Sequence, residues 1–307
     1  MTAQALPATG LVPRRAGGPA CSTASRAAEE TLVATAGLGR RWLLVEVAGA
    51  WGPNAFTDSP VLDPGIGRRI VARAEHAGLR VVALRRPGRE RGAPRWRWAV
   101  ADTAPGAERV VWGEAATPEQ LLDVPLDGST GTPSAEPVVL VCTHGRHDEC
   151  CAVRGRSVAA SLAQRHRAAT WECSHLGGCR YAATLLLLPH GLHYGRVDDL
   201  DVEGVVEAYA RGEVVLDGLR GRTAFSRVVQ AAQDAARRRT GDLRLDSFAP
   251  RSVEPAGVGW RVVLEGEPPL EVVVEERRGG ALLTTCAATT PVRVAHLAPR
   301  GPRGNGA

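Results

Sequence analysis

The chain has 307 residues, 44% of them hydrophobic, and a formal net charge of +5 at pH 7; this length predicts a substantial core and about two domains. All 38 basic residues are arginine, which excludes a lysine-containing phosphate loop, a pyridoxal Schiff base and any catalytic lysine. Because the arginines are scattered among acidic residues, the positive charge is weak evidence for nucleic-acid binding, and we expect no nucleic-acid partner.

The first part of the chain predicts a Pro/Gly/Ala-rich disordered lead at 1–20, followed by an N-terminal α/β domain at 21–126. Hydrophobic periodicity predicts these elements in chain order: helix 27–36, strand 42–47, helix 65–77, strands 80–84, 96–101 and 109–113, and short helix 118–122. A linker rich in Gly, Ser, Thr and Pro follows at 127–137.

The second part predicts an α/β domain at 138–211 and a small C-terminal α+β appendage at 218–298. The expected elements of the domain are strand 138–141, helix 152–164, two strands around a Pro-His-Gly turn and helix 202–210. On helix 152–164 we expect Val153, Val158 and Leu162 to face inward. The appendage is predicted from helix 224–238 and strands near 242–248, 260–264, 270–275 and 281–286.

Two observations predict the cellular compartment of the protein. No apolar stretch approaches the roughly 18 residues that a membrane span needs, and the N-terminal sequence lacks the apolar core of a secretory signal. The seven cysteines, five of them clustered, fit a reducing environment better than a disulfide framework. We therefore expect a cytoplasmic protein without a membrane partner.

Metal-binding residue types concentrate in two short segments, VCTHGRHDECC at 141–151 and WECSHLGGCR at 171–180. Together these segments hold five of the seven cysteines and three of the eight histidines. Thiolates and imidazoles gathered this densely between predicted strands favour an iron-sulfur cluster or zinc over a packed core.

The spacing of these residues forms two pairs. Eight residues separate Cys142 from Cys151, and three separate His175 from Cys179, so one helical turn would place the second pair on one face. The glycines between His175 and Cys179 would let the backbone approach an inorganic cluster closely. Four ligands could then converge.

Three motifs in residues 138–197 resemble the sucrase/ferredoxin-like family, whose relatives are the thioredoxin-like 2Fe-2S ferredoxins. They are C-T-H-G-x-x-D-x-C-C, W-E-C-S-H-L-G-G-x-R-[FY]-A and L-P-x-G-L-x-Y-G-R-V. The resemblance implies an α/β fold with a thioredoxin-like ferredoxin domain, and the similar element order at 21–126 suggests a degenerate thioredoxin-like copy before it. The word sucrase carries no weight, because the chain offers no paired carboxylates of a glycosidase.

Carried over to this sequence, the resemblance implies a 2Fe-2S cluster with Cys142 and Cys151 as one ligand pair and His175 and Cys179 as the other. Cys150 and Cys173 lie close in sequence and are alternate ligands. The rival set replaces Cys179 by Cys173.

The remaining candidates receive other roles. His144 and His147 are expected to be loop residues that hydrogen-bond or shield the cluster. Cys21 and Cys286 lie far away in sequence and are interpreted as a tail thiol and a small buried hydrophobic residue.

The resulting hypothesis is a 2Fe-2S electron carrier rather than an enzyme, with no catalytic residue and with a redox partner protein whose identity the sequence does not give. One imidazole in place of a thiolate makes the cluster less negative and raises its potential. Two alternatives stay open. One is a structural zinc or interaction protein that uses the same residues, and the other is a metal-free thiol oxidoreductase that uses Cys150 and Cys151.

Overall fold

The computed structural model describes residues 19–88 and 96–300, and it shows a mixed α/β protein with one large and one small sheet. Residues 1–18 of the expected disordered lead lie outside the described residues. The α-helices are α1 (Cys21–Ala27), α2 (Pro64–His76), α3 (Glu149–Arg165), α4 (Val202–Ala210) and α5 (Arg227–Thr240). None of the helices in the described ranges is long and apolar enough to cross a membrane.

The strands of the large sheet come from residues 41–222 and those of the small sheet from residues 250–299. The first group is β1 (Arg41–Glu46), β2 (Arg80–Arg85), β3 (Trp96–Asp102), β4 (Arg109–Ala115), β5 (Thr132–Pro133), β6 (Val138–Cys142), β7 (Thr170–Cys173), β8 (Leu185–Leu188), β9 (Leu192–Tyr194) and β10 (Leu219–Arg222). The second is β11 (Pro250–Ala256), β12 (Gly259–Leu264), β13 (Leu270–Leu282) and β14 (Val292–Pro299).

The large sheet has the order β10-β9-β8-β6-β7-β2-β1-β3-β4-β5, and both halves of the chain contribute to it. They meet where β2 pairs with β7 in antiparallel orientation. On each side of this junction, a parallel pair (β1 with β2, β6 with β7) continues into two antiparallel strands (β3 and β4, β8 and β9). The two halves therefore share one strand order around the centre of the sheet.

The centre of the large sheet is buried on both faces, as its continuous apolar strands require. All residues of β6 and β8 are buried, and alternate residues face different cores. Leu140 and Cys142 belong to one core, and Val139 and Val141 belong to the other. This alternation places the Cys142 side chain on the first of these faces.

The small sheet and α5 form the C-terminal α+β layer. Three alanines of α5 (Ala231, Ala232 and Ala236) pack against apolar residues of β12 and β13, because their small side chains let helix and sheet approach closely. From this layer, Leu283 and Cys286 reach back to the core that contains Cys142.

Most predicted elements are confirmed with boundaries that shift by up to three residues, but several predictions were wrong. The predicted helix at 27–36 is irregular, and the helix of this region, α1, ends at Ala27. Glu29 and Ala34 have positive φ angles of 48° and 61°, which a right-handed helix cannot contain. The expected position of Val153 was also wrong: it is 71% exposed, because nine residues at about 100° each place it opposite Leu162 on α3.

In the C-terminal layer, two strand predictions were wrong. Residues 242–248 contain no strand, only an isolated bridge between Glu213 and Arg244, and the first strand begins at Pro250. The predicted strand at 281–286 is the end of β13 followed by turns, and β14 was missed. Apolar runs this short do not mark strand boundaries in a sheet with one exposed face.

Candidate metal centre

The four predicted ligands come from four neighbouring backbone segments. Cys142 ends β6, Cys151 lies in the first turn of α3, His175 follows β7, and Cys179 begins a short 3-10 helix. Because β6 and β7 are parallel neighbours, their carboxyl ends meet at one edge of the sheet. The residues that end or follow these two strands, Cys142 and His175, therefore lie at the same edge of the sheet.

Two local features bring α3 close to the end of β6. The Asp148 carboxylate caps the helix by accepting a 3.0 Å hydrogen bond from the Cys150 N–H. One turn after Cys151, Gly155 packs directly on β6, and a Cβ at this position would lie 2.2 Å from the Cys142 carbonyl oxygen. Only glycine allows this approach, which positions Cys151 beside Cys142.

The four side chains form a closed ring of contacts. His175 Nδ1 lies 3.4 Å from Cys179 Sγ, and the Cys151 thiol interacts with the thiols of Cys142 and Cys179, as the pKa shifts of all three show. The donor atoms of Cys142, Cys151 and His175 lie within 4.8 Å of one another, and so do those of His147, His175 and Cys179. Each of these two groups could hold a metal ion, and they share His175.

Charge alternates around the ring. Hydrogen bonds from the Cys151 thiol lower the pKa of Cys142 well below the ordinary thiol value and also lower the pKa of Cys179. The same hydrogen bonds raise the pKa of Cys151 well above that value. Burial opposes charge on His175, but hydrogen bonds to the Cys142 and Cys179 sulfur atoms outweigh it and raise its pKa to about 10. The thiolate form, which binds soft metals, is therefore favoured at Cys142 and Cys179.

The ring has a dry side and a solvent side. Cys142, Cys151 and Cys179 are only 1–2% exposed, whereas His175 is half-buried and the adjacent His147 is exposed. The centres of the His147 and His175 imidazoles lie 4.1 Å apart, so His147 covers His175 on the solvent side of the four-residue ring. A metal at this site would be reached from solvent on the histidine side.

Two arginines hold the segment that carries the second ligand pair. Arg80 donates a 3.0 Å hydrogen bond to the Leu176 carbonyl, and the fully buried Arg220 donates one of 2.9 Å to the Gly177 carbonyl. Burial lowers the pKa of Arg220 to about 10, so it remains a cation at neutral pH. Gly177 and Gly178, with φ angles of 97° and 81°, allow the backbone to turn here.

The model of the sucrase/ferredoxin-like family matches residues 37–221, a range that contains the complete ring. The chain belongs to this family. A curated relative of this sucrase/ferredoxin-like protein is Altered inheritance of mitochondria protein 32 of Meyerozyma guilliermondii, which is 33% identical over 95 residues. The alignment covers 27% of this chain and 34% of the relative, so the chain spans about a third of the relative's length. No solved structure matches the chain significantly.

The two alternate ligands of this sucrase/ferredoxin-like protein, Cys173 and Cys150, differ in their surroundings. Cys173 is fully buried within β7, opposite Cys142 in the sheet register, and burial raises its pKa well above the ordinary value. Cys150 neighbours Cys151 in sequence, but its sulfur contacts Cys21 and Cys286 instead of the ring.

The interpretation of Cys21 as a tail thiol was wrong, because Cys21 begins α1 and is 1% exposed, whereas Cys286 does pack partly buried against the hydrophobic core. With Cys150 and Asp148 they form a second group that could hold a metal ion. The sequence did not indicate this group because Cys21 and Cys286 are each the one cysteine of their segment, and only folding brings them to Cys150.

Of the two loop histidines expected to hydrogen-bond or shield the cluster, His147 lies where it could shield it. His147 covers His175, whereas His144 is buried and its Nε2 lies 2.7 Å from the Gly52 carbonyl oxygen, so it joins this loop to the first half of the chain.

Proposed function

We propose that this sucrase/ferredoxin-like protein is an electron-transfer protein that holds a 2Fe-2S cluster through Cys142, Cys151, His175 and Cys179. The convergence of these four side chains into one ring is the observation that carries the proposal. Cys142 and Cys151 would bind one iron, and His175 and Cys179 the other.

The donor set fits such a group. Thiolate and imidazole ligands suit iron in iron-sulfur clusters, and thiolates are already favoured at Cys142 and Cys179. When bound, the cluster would supply a site that accepts and releases single electrons.

The residues around the ring would tune that chemistry. The buried cysteines exclude water, and the cations of Arg80 and Arg220, which hold the ligand segment, favour an added negative charge. His175 is half-buried, whereas the three cysteine ligands are buried, so His175 is the ligand nearest to solvent. Electrons would therefore enter and leave the cluster on the His175 side.

The proposal extends to the fold. Each half of the large sheet corresponds to a thioredoxin-like unit, and the first half is a copy without ligands. The shared order of strands, β4-β3-β1-β2 in one half and β9-β8-β6-β7 in the other, supports this assignment. The domains would then be 21–126 and 138–211, joined through β2 and β7, with the appendage at 218–298.

A redox partner protein with an acidic surface would complete the function. A cleft of about 500 Å³ lies beside the ligand segment, and its lining includes Arg80, Arg180, Arg220 and Arg227. A location in the cytoplasm belongs to the proposal, and the seven free cysteines support a reducing environment.

Zinc is the second candidate for the same ring. A closed ring of three sulfur donors and one nitrogen also suits the tetrahedral coordination that structural zinc prefers. A zinc protein would be colourless and would not undergo reduction.

The test is an anaerobic redox titration followed by visible absorption, with Cys142→Ser as the matched variant. We expect a coloured protein that is reversibly reduced by one electron, and a colourless Cys142→Ser variant. A colourless wild type that contains zinc would establish the second candidate. Metal-free activity that depends on Cys150 or Cys151 alone would establish a thiol oxidoreductase.

A further inference from the structure

A second group of metal-binding side chains lies outside the proposed cluster ring. Its three sulfur atoms form a triangle, with Cys150 Sγ 3.1 Å from Cys286 Sγ and 3.5 Å from Cys21 Sγ, and with Cys286 Sγ 3.5 Å from Cys21 Sγ. The Asp148 carboxylate oxygens lie 3.8 and 3.9 Å from Cys21 Sγ. All four donors lie within 4.8 Å of one another.

The four residues come from distant parts of the chain. Cys21 begins α1, Asp148 and Cys150 lie at the start of α3, and Cys286 follows β13. Cys21 and Cys286 are separated by 265 residues. Three separate segments converge on one point, which is the arrangement that a structural metal stabilises.

We propose that Cys21, Cys150, Cys286 and Asp148 bind a divalent metal of the zinc type. Zinc is four-coordinate with zinc–sulfur bonds of about 2.3 Å, which in a tetrahedron separate the sulfur atoms by about 3.8 Å. The sulfur atoms here lie a few tenths of an ångström inside that separation, so small rotations of the side chains would admit one ion.

The surroundings of the donors fit coordination. Ser22 Oγ donates a 3.1 Å hydrogen bond to Cys150 Sγ, and Arg154 Nε in turn donates to Ser22 Oγ at 3.0 Å. Asp148 Oδ2 accepts a 2.9 Å hydrogen bond from the Cys286 N–H, which fixes the carboxylate against the third cysteine. Hydrogen bonds of this kind orient metal ligands and offset the negative charge of bound thiolates.

Burial and donor number distinguish zinc from the other occupants of such a site. Cys21, Cys150 and Asp148 are nearly fully buried, and Cys286 is half-buried, which matches a closed structural site better than an open catalytic one. An iron-sulfur cluster needs more room than a sulfur triangle with edges of 3.1–3.5 Å provides. A disulfide would use two sulfur atoms and leave the third thiol and the carboxylate without a role.

The metal would attach α1 and the segment after β13 to the start of α3. Because Cys151 is the next residue on α3, the same ion would stabilise the helix turn that supplies a ligand to the cluster ring. Cys21 and Cys286 lie outside the family match at 37–221, whereas Asp148 and Cys150 lie inside it, so the site joins the flanking segments to the family region. It shares no ligand with the proposed cluster.

The test is metal analysis of the full chain from cells grown with added zinc, with iron measured in the same samples. Wild type should contain about one zinc per chain. Cys21→Ala and Cys286→Ala should lose the zinc and keep the iron, whereas Cys142→Ser should lose the iron and keep the zinc. Cys173→Ala, a buried cysteine outside both groups, should keep both metals.

Asp148→Asn provides a variant that should still fold, because asparagine also caps helices well. It should lose zinc to a chelator faster than wild type does. Titration of chelator-treated protein with Co²⁺ gives a second measurement, in which wild type should develop a thiolate-to-cobalt absorption band that Cys286→Ala lacks. Absence of zinc and of the cobalt band from wild type would overturn the proposal. So would zinc binding by Cys21→Ala and Cys286→Ala that equals zinc binding by wild type. A disulfide between any two of the three cysteines in zinc-free native protein would do the same.

Discussion

Cys150 and Cys151 are consecutive residues of α3, yet their thiols contact two different groups. Cys150 Sγ lies 3.1 Å from Cys286 Sγ, whereas the Cys151 thiol interacts with Cys142 and Cys179. Successive side chains on a helix point about 100° apart, so this pair faces two centres rather than sharing one. Each cysteine is therefore expected to control a different metal.

The choice between Cys179 and Cys173 can be tested by a matched pair of serine substitutions. Cys179→Ser should lose iron or shift its visible spectrum, because Cys179 belongs to the ring. Cys173→Ser should keep iron with an unchanged spectrum, since that side chain is buried within β7. Iron content and visible spectra decide the outcome, and the reverse pattern would establish the rival ligand set.

Gly155→Ala should separate α3 from the end of β6. The added methyl group would lie 2.2 Å from the Cys142 carbonyl oxygen, so the helix must shift and move Cys151. We expect the free energy of unfolding to fall by about 1–3 kcal/mol, as for other overpacked sites, together with a partial loss of iron.

Chemical denaturation and iron analysis measure both effects. Ser157→Ala, an exposed position on the same helix, is the control and should change stability by less than about 0.5 kcal/mol. If Gly155→Ala retains wild-type stability and iron content, the close approach of α3 does not determine the ligand geometry.

Arg220 offers a way to separate charge from anchoring. Arg220→Met removes a buried cation and its hydrogen bonds to Gly177 and Thr35, so it should lower both the midpoint potential and the stability, the latter by about 2–4 kcal/mol. Arg220→Lys keeps the charge and should hold the potential closer to wild type while still losing stability. Redox titration and denaturation of both variants provide the comparison; equal potential shifts would show that the charge of Arg220 is not the cause.

His175 should make the midpoint potential depend on pH. An iron-bound imidazole holds the proton on its second nitrogen more tightly when the cluster is reduced, so reduction takes up a proton. The potential should therefore fall as pH rises, by at most about 59 mV per pH unit for one electron and one proton.

The variant His175→Cys should lower the potential and flatten this slope, because a thiolate adds negative charge and removes the titrating nitrogen. His147→Asn is the comparison variant: His147 lies beside His175 and Cys179 but is not one of the proposed ligands, so iron and slope should remain. A pH-independent wild-type potential would show that His175 is not a titrating ligand, and loss of the slope in His147→Asn would assign the role to His147.

The cluster ring could be predicted from sequence because its four members lie in two short segments with defined spacing. Cys21 and Cys286 could not, since neither belongs to a motif and 265 residues separate them. The arginines that hold the ligand segment, Arg80 and Arg220, were missed for the same reason: nothing in the local sequence shows that β2 and β10 begin beside it.

The fold shows the same division between local and long-range information. Apolar runs predicted strands such as β6 and β8, because a central strand buries both faces. The helix at 27–36 was predicted from hydrophobic periodicity, yet the helix forms at Cys21–Ala27, where Cys21, Ser22 and Ser25 are buried. Tertiary packing of α1 outweighs the intrinsic preference of the segment that follows.

The most direct test of the proposed 2Fe-2S cluster is the determination of iron and acid-labile sulfide in protein purified without oxygen. We expect equal amounts of both, about two of each per chain, in wild type and neither in Cys142→Ser. Iron without sulfide, or a wild type that contains zinc alone at the ring and no iron, would contradict it.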